Sequence, residues 1–92
     1  MFYLICYDIT EDNRRNRVAK VLETYGMRVQ KSVFEVVLNE TEYHQLQTRL
    51  LKLLNKRQDQ LRFYPLSPHN RDRIVILGKQ PEYQVDALTF IV

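Results

Sequence analysis

The chain carries one carboxylate where a carboxylate is unusual. Asp8 closes the apolar run Phe2-Tyr3-Leu4-Ile5-Cys6-Tyr7, and Arg14, Arg15 and Arg17 follow where a helix should begin. Cations in a first helical turn face the positive end of the helix dipole, which is mildly unfavourable. An anion docked there reverses the sign, since helix N-termini bind phosphate and arginine grips phosphate with two parallel hydrogen bonds. Arg28 and Lys31 lie on the next extended segment and can extend such a patch. Asp8 suits a structural or a chemical role. It can cap the following turn by accepting backbone N–H bonds, or it can act as a general base or ligate a hard cation such as Mg²⁺ (or Mn²⁺), which prefers carboxylate oxygens and keeps several waters. One aspartate per chain is too few for a two-metal site; two copies meeting across a dimer axis supply a pair, and their mutual repulsion gives that seam a reason to bind a cation.

The remaining candidates are supporting. Ser32 can donate a hydrogen bond near Asp8. Tyr7 and Phe34 are core residues by type, with base stacking the rarer alternative. His44 and His69 lack metal-ligand spacing. No P-loop, GxGxxG, CxxC or HExxH occurs.

These residues need elements to hold them. Residues 2–9 read as a strand apolar on both faces, which asks for cover on both faces: helices on one, a second protomer on the other. Thr10 to Asn13 supplies helix-start chemistry, with Asp12 as the expected cap. Val18, Val21, Leu22 and Tyr25 then recur at helical spacing, and Gly26 is placed to end the helix. Residues 27–38 exceed one strand and predict either two with a very tight connection or one bent strand, although no Gly or Pro marks a break. Asn39 and Glu42 form a capping-box pattern ahead of Tyr43, Leu46, Leu50, Leu53 and Leu54. Leu61 to Leu66 predicts a strand, with Pro65 marking a sheet edge or a strand end. Ser67 to Asp72 reads as a polar loop and Arg73 to Leu77 as another strand. The apolar tail, Asp86 to Val92, predicts a strand docked on a partner's sheet edge. Strand, helix, strand, strand, helix, strand is the ferredoxin-like order. The expectation is an α+β domain over residues 1–78, with 79–92 as linker and C-terminal strand.

The bulk properties agree. A chain of 92 residues is one domain. Its net charge of +3 permits an anionic partner without demanding one. Cys6 alone cannot form an internal disulfide and reads as an inert packing residue. The first residues carry no signal-peptide pattern and no run is long enough to span a membrane, so a reducing, cytoplasmic setting is expected.

Taken together, Tyr7-Asp8-Ile9 at a strand end, Arg14-Arg15-Asn16-Arg17-Val18-Ala19, Gly26, and Arg28-Val29-Gln30-Lys31-Ser32-Val33-Phe34-Glu35 resemble the small CRISPR-associated endonuclease, the non-integrase subunit of the spacer-acquisition machinery. Tyr64-Pro65-Leu66 and the tail after Pro81 fit too, so the resemblance covers essentially the whole prokaryotic-type chain. It implies a ferredoxin-like homodimer whose C-terminal strand joins the partner's sheet. It also implies metal-dependent cleavage of RNA or duplex DNA, with Asp8 from both protomers binding Mg²⁺. Positions matching Tyr7, Arg15, Arg17, Arg28 and Phe34 belong to the family's functional set. The implied partners are the CRISPR integrase and the duplex DNA it inserts. His69, in a variable loop, inherits no role. Two other classes compete: a toxin-like ribonuclease, and a ferredoxin-like regulatory module, which would want a glycine-rich or apolar ligand cleft that a chain with two glycines supplies poorly.

Overall fold

A computed structural model describes residues 1–79. The elements run β1 (Phe2–Asp8), α1 (Asp12–Glu23), β2 (Gly26–Gln30), β3 (Val33–Val37), α2 (Glu40–Leu53), β4 (Gln60–Leu66) and α3 (Pro68–Arg71). The four strands form one sheet in the order β2-β3-β1-β4, with every neighbouring pair antiparallel. This is the expected α+β, ferredoxin-like arrangement. The expected C-terminal strand lies outside the described residues.

Strand alternation sorts β1 into two rows. Tyr3, Ile5 and Tyr7 face the helices and pack with Phe34 and Val36 of β3, Val18, Ala19 and Leu22 of α1, and Leu46 and Leu50 of α2. On the opposite row Leu4 and Cys6 are half-buried and Asp8 is exposed. Phe2 is buried at that row's start, where Arg71 of α3 lies over its ring, 4.7 Å from the centroid.

Residues 27–38 do split into two strands, β2 and β3, joined by Lys31-Ser32. The turn needs no glycine because β1 holds it: the Tyr7 backbone N–H donates to Ser32 O at 3.1 Å, and the Tyr7 hydroxyl donates to Lys31 O at 3.2 Å. The capping box of α2 forms as expected, with Asn39 and Glu42 exchanging bonds of 2.8 and 2.9 Å. Pro65 falls on an edge strand, where its missing N–H costs no ladder bond.

Four local expectations change. The cap of α1 is Glu11, whose carboxylate accepts from the backbone N–H of Arg14 at 2.8 Å and Asn13 at 3.1 Å; Asp12, one residue on, sits in the first turn and pairs with Arg15. Helix α1 stops at Glu23 before Gly26, which opens β2 instead. There a Cβ would lie 2.2 Å from Glu35 O, so glycine is required by the close approach of β3. Ser67 to Asp72 contains a helical turn: Ser67 accepts from the Asn70 N–H at 3.2 Å and Pro68 takes the first helical position, which proline suits. Arg73 to Leu77 is not a strand, since no described strand pairs with it; Val75 and Leu77 are exposed.

Candidate nucleic-acid site

The end of β1 opens into a cleft of about 400 Å³ lined by Tyr7, Asp8, Ile9, Arg15, Asn16, Ala19, Arg28, Lys31 and Ser32. The geometry follows from the topology. β1 and its antiparallel neighbour β3 bring Asp8 beside the β2–β3 turn, and α1 starts only four residues after Asp8. Asp8, Arg15, Arg28, Lys31, Ser32 and Tyr7 are thereby gathered from three stretches of chain. Among the described residues, Asp8 is the only acidic side chain on the lining.

Each cation is held differently. Arg15 donates to Ile9 O at 3.1 Å and pairs with Asp12, so its guanidinium is anchored across the β1–α1 loop. Arg28 lies over the Phe34 ring at 5.3 Å, a cation–π contact, with Glu23 at 3.9 Å. Lys31 is exposed at the turn, and Arg17 is exposed on α1 outside the cleft.

Arg14 stands apart from the others. Its Nε donates to Asp59 at 2.8 Å and one terminal nitrogen donates to Gln58 at 3.0 Å. The Asp59 side chain is fully enclosed, and the Arg14 hydrogen bond, the largest influence on it, holds its carboxyl below the usual range. Arg14 is thus committed to a protein carboxylate and does not line the cleft.

Tyr7 and Phe34 cannot serve as stacking platforms. Phe34 is wholly buried and Tyr7 is 6% exposed. Burial pushes the Tyr7 hydroxyl above its ordinary range, although Arg28 and Arg15 pull the other way. The hydroxyl therefore stays protonated and keeps donating to the turn. Phe34 supports Arg28 from beneath. His44 and His69 lie away from the cleft.

Sequence reasoning missed the β4 side of Asp8. Asp8 pairs with Gln60 and Cys6 with Arg62. Cys6, Asp8, Gln60, Arg62 and Tyr64 line a second, smaller hollow on the outer face. Arg62 bridges Gln60 and Tyr64 with two bonds of 3.0 Å. Alternation of Gln60, Arg62 and Tyr64 with Leu61 and Phe63 was the available signal.

No group of three or more His, Cys, Asp or Glu side chains among the described residues forms a metal cage. A lone exposed carboxylate beside a hydroxyl fits only an ion that keeps most of its waters, as Mg²⁺ does.

The chain matches the family described as CRISPR associated protein Cas2 over residues 1–74. It belongs to the Cas2 family. It is 48% identical over 79 residues to a CRISPR-associated endoribonuclease Cas2 of Synechocystis, covering 86% of each chain. A second endoribonuclease Cas2, from Chloroflexus aurantiacus, is 43% identical over the full length of both chains. The fold is similar to Streptococcus pyogenes Cas2, with TM-score 0.76, 34% identity, and coverage of 85% of this chain and 100% of that one. A chain of a partial Cas6-RT-Cas1–Cas2 complex gives TM-score 0.76, 31% identity and 94% coverage of both. No helix among the described residues is long and apolar enough to cross a membrane.

Proposed function

We propose that this Cas2-family chain is a dimeric, Mg²⁺-dependent endonuclease and nucleic-acid scaffold that works with a Cas1-type integrase in spacer acquisition. The observation that carries the reading is Asp8 sharing one cleft with Arg15, Arg28 and Lys31. Cations arranged around a single acid suit a phosphodiester backbone. Relatives named endoribonuclease support the cleavage, and the Cas1–Cas2 complex among similar structures supports the partner.

In this reading Asp8 and the partner protomer's copy of it would hold the ion. When bound, the ion supplies an activated water and stabilises charge developing on the phosphate. Arg15 and Arg28 orient the non-bridging oxygens of the phosphate, and their anchored guanidiniums lose little freedom on doing so. Lys31 adds positive charge at the turn that Tyr7 holds in place. With Tyr7 and Phe34 buried, the cleft contacts backbone rather than base faces, so binding is insensitive to sequence. The half-buried Leu4 and Cys6 row is the surface offered to the second protomer.

The test is Asp8→Asn. Divalent-dependent cleavage of RNA or duplex DNA should fall by at least ~10²-fold, the scale of losing one transition-state electrostatic group, while duplex affinity by fluorescence anisotropy stays near wild type. Unchanged cleavage in the variant, purified in parallel, rejects the catalytic assignment.

A further inference from the structure

Asp59 sits on the turn between α2 and β4, and its enclosed carboxylate gathers four donors. They are the Asn55 backbone N–H at 2.9 Å, the Thr10 backbone N–H at 3.4 Å, and Arg14 Nε and a terminal nitrogen at 2.8 and 3.3 Å. Gln58, its neighbour, accepts from Arg14 and from the Thr10 hydroxyl, at 3.0 and 3.5 Å. The bonds join the α2–β4 turn to the β1–α1 loop on the side of Asp8 away from Lys31 and Ser32. Of the two strands flanking this junction, β1 carries Asp8 into the cleft, and β4 pairs Gln60, next to Asp59, with Asp8.

We propose that Asp59 is a positioning residue for the Asp8 cleft: it withholds Arg14 from nucleic-acid phosphate and, through Arg14 and Thr10, fixes the β1–α1 loop between Asp8 and Arg15. The inference rests on the reading that the cleft takes a phosphodiester backbone. An internal carboxylate occupies Arg14 with the geometry a phosphate oxygen would use. Its side chain is out of contact with solvent, so an incoming phosphate must displace a fully bonded partner, which is unfavourable. The run Arg14-Arg15-Arg17 therefore divides into one arginine that builds the site and two that remain for the ligand.

The experiment is duplex DNA binding across a salt series for the full chain, with Arg14→Ala, Asp59→Asn and Arg15→Ala beside wild type. Arg14→Ala should leave the log–log slope unchanged, whereas Arg15→Ala should flatten it by ~0.9. Asp59→Asn should steepen the slope by up to ~0.9 by freeing Arg14, and slow cleavage, with Arg14→Lys recovering part of the rate that Arg14→Ala loses. A slope flattened as much by Arg14→Ala as by Arg15→Ala overturns the proposal, as does unaltered cleavage in Asp59→Asn. Hydrogen exchange of the Arg14 Nε–H in the wild-type protein reads the pair without any variant or nucleic acid. A protected, slowly exchanging proton supports it, and exchange as fast as that of Arg17 overturns it. If wild type binds no duplex while that proton is protected, the functional reading fails and the Arg14–Asp59 lock survives.

Discussion

Arg14 and Arg15 are chain neighbours with the same side chain, and the fold gives them different partners. One helical step of about 100° turns Arg14 toward Asp59 and Arg15 toward Ile9 O and the cleft. Arg17 points to solvent, where its charge helps to lower the Glu11 carboxyl. For Arg17→Ala we expect duplex affinity to weaken at low salt, with the salt slope flattened by ~0.9 and the fold unchanged by circular dichroism. The clustering of Asp8 with basic residues was legible from residue types alone. Arg14's diversion was not, because its partner is 45 residues away and Asp59 looks like any turn aspartate in the sequence.

Among the elements, β2 does the least obvious work. It is a short outer strand that carries Arg28, and it lies close to β3 only because Gly26 has no side chain. Gly26→Ala would place a carbon 2.4 Å from Val36 Cγ1 as well as against Glu35 O. We expect a loss of about 1–3 kcal/mol in denaturant unfolding, the usual cost of overpacking, together with weaker duplex binding as β2 and Arg28 shift. The helices were readable from capping and periodicity, and the strands from β-branched runs. The Lys31-Ser32 turn was inferred only from excess length, since a hydroxyl on β1 replaces the glycine that normally marks a turn. The Arg73 to Leu77 strand failed for a related reason: strand propensity needs a neighbour to pair with, and propensity is all the local sequence contains.

At the scale of the molecule, two carboxylates set the response to acid. Hydrogen bonding from Arg14 lowers Asp59, and the backbone N–H groups of Arg14 and Asn13 lower Glu11. A carboxyl with a depressed folded-state pKa binds protons first in the unfolded chain. Its stabilisation is present above the unfolded value and is lost as pH falls through the folded one. The ordinary values are 3.8 and 4.5, so Tm should decline below about pH 4.5, and Asp59→Asn should start lower at neutral pH and show a shallower acid limb. The sheet order followed from the element order and the ferredoxin-like pattern. The outer row of β1 is where the proposed second protomer would sit, and one chain's periodicity signals it only as unexplained apolar residues.

The proposed sharing of one divalent ion by Asp8 from two protomers is tested most directly by Mn²⁺ titration followed by electron paramagnetic resonance, on protein whose mass is fixed by sedimentation. We expect one tightly held ion per two chains, lost in Asp8→Asn with the dimer intact. One ion per chain, or a titre indifferent to Asp8→Asn, would contradict it.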